Sequence, residues 1–194
     1  NDFLTDIEGK SEEILINKNL KNLPTVIVNG ERYKFINGVG YGIDGYCCEV
    51  ADKIKEKQPN KAINYAGIAI KGILFHFKPK TATVVVDGVQ SVHKKVWLAP
   101  SMKGKYYGGG MKIAPSQDRN SKTLSVVVYK TPSNLKALAI FPSVFKGEHI
   151  KKDKVVKIYT GKEITIESFI PKKGMSYNTV TKFNKPCLVD LDGN

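Results

Sequence analysis

Ala82-Thr-Val-Val-Val86, the pair Asp87-Gly88, and Val92-His-Lys-Lys-Val-Trp-Leu-Ala-Pro100 form the stretch that decides the fold class. β-Branched residues fill the first run, and Asp-Gly tolerates the positive φ that a tight hairpin turn demands. Two antiparallel strands are therefore expected here. The same argument applies upstream, where Asn29-Gly30 separates residues 25–28 from residues 31–36. Further short β-rich runs lie at 112–114, 123–129, 155–159, 163–169, 177–183 and 187–191, each bounded by turn residues. Helices are expected at 46–56, stopped by Pro59, at about 62–77, and as a short piece within 132–145 that ends near Pro142. In the second of these Ile63, Ala66, Ile70, Ile73, Leu74 and Phe77 recur at helical spacing, with Asn64 and Lys71 off the stripe, and the stripe is expected to be core. The pattern predicts a mainly β (α+β) fold, an antiparallel β-sandwich or barrel with a few flanking helices.

The chain has 194 residues, 41% hydrophobic and 25% charged, enough to bury a substantial core in one large domain or two small ones. It contains no run of apolar residues long enough for a spanning helix, and its first residues lack the basic and apolar regions of a signal peptide. Cys47, Cys48 and Cys187, with His76, His93 and His149, are scattered without metal-ligand spacing. A zinc site or disulfide framework is not expected, and the thiols suit a reducing cytoplasm. The net charge of +13 favours an anionic partner. Near an anionic membrane each Lys or Arg adds roughly 1 kcal/mol of attraction, so a few on one face suffice for reversible docking. No nucleic-acid-binding motif accompanies the charge, and nucleic acid is not the expected partner.

Two glycine-rich stretches carry the functional reading. Tyr106-Tyr-Gly-Gly-Gly-Met-Lys-Ile-Ala-Pro115 places Gly108, Gly109 and Gly110 side by side after a strand-like run. Such residues serve shape: a tight bend, or a wall that lets a ligand or another backbone approach. Phe35 to Asp44 carries Gly38, Gly40 and Gly42 at alternate positions. Gly40-x-Gly42-x-x-Gly45 matches a dinucleotide fingerprint in form only, because an antiparallel hairpin precedes it and no βαβ unit follows.

Taken together, these motifs resemble the C-terminal, substrate-side half of the bacterial diacylglycerol kinase-type lipid kinases. Asn1-Asp2-Phe3 is similar to the end of that family's Gly-Thr-x-Asn-Asp-Phe motif, and Phe35, Asn37, Gly40, Gly42 and Asp44 to its Phe-x-Asn segment with glycines and an Asp. Tyr65 corresponds to a helix tyrosine, Gly108 to Met111 with Ala114 and Pro115 to Gly-Gly-Gly-Met-x-x-Ala-Pro, and Asp192-Gly193 to a terminal Asp-Gly-Glu.

The resemblance implies an antiparallel β-sandwich, the second domain of the NAD kinase/diacylglycerol kinase-like fold. Residues 1–21 would then be the connector from an N-terminal ATP-binding domain that holds most of the ATP and Mg. It implies Asp192 as the base that takes the proton from a lipid hydroxyl. Asn37, Gly40, Gly42, Asp44, Tyr65, Gly108, Gly109, Gly110 and Met111 would line the substrate cleft, with Asn1, Asp2 and Gly193 at the nucleotide. The implied protein is an ATP-dependent lipid kinase, peripheral at the inner face of the membrane, and this chain alone is expected to be inactive. Alternatives are a NAD or sphingoid-type kinase domain, or a non-enzymatic basic β-sandwich module that binds a polyanion.

The chain departs from the family in two places. Ser121-Lys122 stands where an acidic Asp-Gly is linked to a second magnesium site in some members, so no metal is expected there. Asn194 replaces the terminal Glu.

Overall fold

A computed structural model describes residues 23–108, 110–169 and 189–191. The expected first hairpin is present as β1 (Thr25–Val28) and β2 (Glu31–Lys34), a small sheet of its own. Asn29 and Gly30 take φ of 53° and 87°, the left-handed pair that lets two residues reverse the chain. The remaining strands are β3 (Gly38–Tyr41), β4 (Lys80–Val86), β5 (Val89–Leu98), β6 (Ser101–Met102), β7 (Leu124–Lys130), β8 (Val156–Gly161), β9 (Ile164–Phe169) and β10 (Val189–Leu191). They make one antiparallel sheet in the order β10-β3-β6-β7-β5-β4-β9, with β8 also paired to β7.

Strand β7 explains the sandwich-like packing. Its Val126, Val127, Val128 and Tyr129 are all buried, as period-2 alternation requires of a strand covered on both faces. Val126 and Val128 join Ala82, Val84 and Val96 in a core inside the curl of the sheet, whereas Val127 and Tyr129 face a second core beneath the helices. That helical layer comprises α1 (Ile43–Lys57), α2 (Tyr65–Lys71), α3 (Asn134–Ile140) and α4 (Ser143–Lys146), followed by a 3-10 turn (Glu148–Lys151). No helix among the described residues is long and apolar enough to cross a membrane.

Several expectations need correction. The helix expected at 62–77 starts at Tyr65, where Asn64 caps it by accepting a hydrogen bond from Gly67 N at 2.9 Å, and becomes a π-turn over Gly72–His76. Its apolar stripe is not uniformly core: Ile73 is buried, but Ile70, at the end of α2, and Leu74, within the wider turn that breaks the 3.6-residue repeat, are exposed. Residues 112–114 are not a strand. Lys112 N bonds Val144 O, Ile113 N bonds Met111 O and Ala114 N bonds Lys105 O, so this backbone crosses between α4 and the 103–105 loop. The glycine-rich segment after Phe35 does form a strand of the main sheet, β3, all four residues of which are buried. Helix α1 begins at Ile43, ahead of the expected start. The run at 177–183 lies outside the described residues, and of 187–191 only β10 is described.

Candidate active-site cavity

Between the sheet and the helical layer lies a cavity of about 270 Å³. Its sheet wall comes from Gly38 and Gly40 of β3, Trp97 and Leu98 of β5 and Tyr129 of β7; its helix wall comes from Ile43, Asp44 and Cys47 of α1, Tyr65 and Ala69 of α2, Ile73 of the π-turn, and Phe141 and Val144 by α4. Tyr107, Gly108, Met111 and Ile113 close one side. Gly38 lets the sheet pack tightly here, since a Cβ on it would lie 2.6 Å from Met102 Sδ.

The polar features gather at one end. Asp44 sits in the first turn of α1, where the helix dipole favours a carboxylate, and is almost fully buried. Tyr107 donates its hydroxyl hydrogen to Asp44 Oδ1 at 3.2 Å. Asn37 stands close by, but its side chain is engaged in building the wall: Nδ2 donates to Tyr106 O, and Oδ1 accepts from Arg119 Nη2. Arg119 Nη1 also donates to Ile36 O at 2.7 Å. Elsewhere the wall is apolar, and Tyr129, buried, directs its hydroxyl away to Ala137 O at 2.7 Å. Burial pushes that phenol well above the usual tyrosine range.

The structure brings Asn37, Gly40, Asp44, Tyr65, Gly108 and Met111 to one cavity, although they span much of the sequence. Two other candidates have local backbone roles instead. Gly42 is the residue ahead of α1, with φ of 99°, and Gly110 has φ of 101° in the loop that Tyr107 and Met111 close by exchanging backbone hydrogen bonds at 3.0 Å. Neither lines the cavity. Gly109, Asn1, Asp2, Asp192 and Gly193 lie outside the described residues.

Sequence reasoning missed Trp97, Tyr107, Arg119, Tyr129 and Phe141. Trp97 reaches the cavity because β5 slips register against β7 between Val96 and Leu98, next to Lys95 at φ 57°. A bulge re-aims the side chains beyond it, and alternation read from the sequence cannot locate it. Tyr107 was legible in principle, as an aromatic directly before the glycines.

Among the described residues no three carboxylates, histidines or cysteines converge, and cationic side chains hold the 116–123 loop. Lys103 donates to Ser121 O, Arg119 lies beside it, and burial followed by the Arg119 charge lowers the Lys103 ammonium from its usual range.

The family model described as the YegS C-terminal NAD kinase beta sandwich-like domain matches residues 37–179. Proteins named diacylglycerol kinase from two strains of Mycobacterium tuberculosis, CDC 1551 / Oshkosh and H37Rv, are each 28% identical over 127 residues. The match covers 66% of this chain and 40% of each relative, so the matched stretch spans well under half of their length. A crystal structure of a diacylglycerol kinase from Bacillus anthracis str. Sterne superposes with a TM-score of 0.52 at 20% identity, covering 89% of this chain and 54% of that one. That likeness concerns the fold.

Proposed function

The chain belongs to the YegS C-terminal NAD kinase beta sandwich-like domain family, and from that premise we propose that it is the substrate-side domain of a lipid kinase. The reaction is phosphorylation by ATP of the hydroxyl of diacylglycerol or a related lipid. The observation that carries this reading is a cavity with apolar walls and a single polar end, at Asp44 and Tyr107. An aliphatic chain satisfies such walls, and a hydroxyl can exchange hydrogen bonds with a carboxylate and a phenol. At about 270 Å³ the space is below the ~300–1,000 Å³ of drug-sized ligand sites, so it suits a segment of a lipid near its hydroxyl more than a whole lipid.

In this reading the ATP and magnesium belong to a companion N-terminal domain, to which residues 1–21 connect, with Asn1, Asp2 and Gly193 on the nucleotide side. Asp192 takes the proton from the lipid hydroxyl as the hydroxyl oxygen bonds to the γ-phosphorus and the bond from that phosphorus to the bridging oxygen breaks, releasing ADP. Phosphoryl transfer asks mainly for an alcohol held in line, and a carboxylate acceptor at its proton serves that need. The position of β10 supports the assignment: Leu191 pairs with Val39, two residues from Asn37 at the polar end of the cavity. The protein acts peripherally on the inner face of the membrane, with its basic surface toward anionic lipid.

Trp97 is the chain's single tryptophan and lines the cavity, so its emission reports occupancy directly. Titration with a short-chain diacylglycerol is expected to give a saturable change that glycerol does not. Ile73→Asp, which puts a charge in the apolar wall, should weaken that binding at least about tenfold. A Trp97 signal indifferent to diacylglycerol sinks the assignment. In the full-length enzyme Asp192→Asn should lower kcat by about 10²–10⁴, the usual contribution of a general base. Unchanged turnover removes Asp192 from the mechanism, and diacylglycerol phosphorylation by the 194-residue chain alone refutes the division of labour between domains.

A further inference from the structure

The inner side of the helical layer lines the cavity, and its outer side carries bare apolar surface. Phe75 is 74% exposed and Leu135 75%, with Ile70 at 40% and Leu74 at 37%. The elements that carry Leu74, Phe75 and Leu135 adjoin, and Ile70 lies in the helix that runs into the first of them. Asn134 Nδ2 donates to Ile73 O at 3.0 Å, which brings the start of α3 against the π-turn, and Leu135 follows directly. The π-turn, closed by Phe77 N to Gly72 O at 2.8 Å, keeps Ile73 in the cavity wall and Phe75 on the exposed side. Exposed phenylalanine and leucine grouped on adjoining elements mark an interaction surface far more often than singly scattered apolar residues do.

Charge identifies the occupant. Residues 58–86, which include α2 and the π-turn, contain Lys61, Lys71, Lys78 and Lys80 and no carboxylate. Residues 119–147, which include α3, contain one arginine, four lysines and again no carboxylate. Lys71 and Lys136, next in sequence to Ile70 and Leu135, and Lys78, three residues beyond Phe75, are all exposed. A second copy of this chain would bring cation against cation. An anionic bilayer offers the opposite: negative headgroups for the lysines and hydrocarbon for the side chains between them.

We propose that Ile70, Leu74, Phe75 and Leu135 form an interfacial docking surface that enters an anionic bilayer, with Lys71, Lys78 and Lys136 at the headgroups. The purpose of docking rests on the lipid-kinase reading above. Ala69 and Ile73 face the cavity from the same segments, so docking sets the cavity about one helix diameter, roughly 10 Å, from the membrane.

The test is flotation of the 194-residue chain with vesicles of equal parts phosphatidylglycerol and phosphatidylcholine, against phosphatidylcholine alone. The chain should float with the anionic vesicles. Phe75→Ser combined with Leu135→Ser should reduce partitioning at least about tenfold, the effect expected from two lost apolar insertions, with an unaltered melting temperature. Phe75→Trp should retain binding, because tryptophan suits the interface as well as phenylalanine does. Undiminished flotation of the serine pair, loss of binding in Phe75→Trp, or no flotation of the unaltered chain overturns the proposal. So does self-association that the serine pair abolishes, which assigns the surface to a second copy. The Trp97 titration with soluble short-chain diacylglycerol separates the two readings. A failed lipid-site reading abolishes that response and leaves flotation intact, whereas a failed docking reading does the reverse.

Discussion

Gly42 sets the angle at which α1 leaves β3. At φ 99° and ψ −123° it occupies backbone space closed to L side chains, and a Cβ there would lie 2.4 Å from Trp97 O. Trp97 cannot give way, because its indole donates to Thr131 O at 2.9 Å. Gly42→Ala is therefore expected to cost at least about 2 kcal/mol, from backbone strain and the clash together, read as a lower urea midpoint at unchanged slope. A loss within about 0.5 kcal/mol, the range of an ordinary surface substitution, would show that neither constraint is real. The case also shows what a sequence yields at this scale. Gly42 stood out from the residues alone as part of a cleft, yet its work is to turn the chain so that Asp44 reaches the cleft. Asn37 was equally visible, but its bonds to Arg119 and Tyr106 come from residues far along the chain, and nothing local announces them.

At the scale of elements, turn chemistry was the most legible feature and long-range clamps the least. Asp87-Gly88 and Asn29-Gly30 form the expected hairpins because each pair tolerates φ above zero on its own account. Asp87 does more than turn β4 into β5. Its Oδ1 accepts from Lys162 N at 2.9 Å and Glu163 N at 2.8 Å, so one carboxylate ties the β4–β5 turn to the link between β8 and β9. Asp87 N donates back to Glu163 O at 3.0 Å. These bonds close the curl of the sheet at one end, where β8 and β9 belong to different ladders, on β7 and β4. Asp87→Ala should destabilise the chain by about 1–3 kcal/mol, the range for charge-assisted hydrogen bonds, and Asp87→Asn by less because its amide oxygen still accepts. Faster hydrogen exchange confined to β8, β9 and their link in Asp87→Ala would locate the loss; equal stability of all three chains would deny the clamp. The π-turn shows the opposite limit. A period count extends one helix through 62–77, and only packing against α1 and α3 fixes where an extra residue enters and which apolar residues it turns outward.

Across the whole molecule, the two buried histidines sit beside different cores and respond to acid in the same direction. His149, fully buried, donates from Nε2 to Ile113 O at 2.8 Å, and burial lowers its pKa, partly opposed by backbone hydrogen bonds. His93 accepts at Nδ1 from the Lys130 ammonium at 3.3 Å and donates from Nε2 to the Tyr159 hydroxyl at 3.2 Å. Burial first, then the charges of Lys130 and Lys157, lower its pKa as well. Protonation would place a second cation against Lys130 in a site already holding a positive charge. With both folded values below the unfolded value of about 6.5, the unfolded chain binds more protons as the pH falls past that point. The stabilisation is therefore complete above about pH 6.5 and is lost as the pH drops toward the folded values. The net charge of +13, counted with neutral histidines, adds self-repulsion in the same direction. The melting temperature should thus fall between about pH 7 and pH 5, faster than in the His93→Gln and His149→Gln chains, which start lower but have shallower slopes because each lacks one of the titrating groups. A flat profile in the unaltered chain, or equal slopes in all three, would mean that these imidazoles do not couple protonation to the fold.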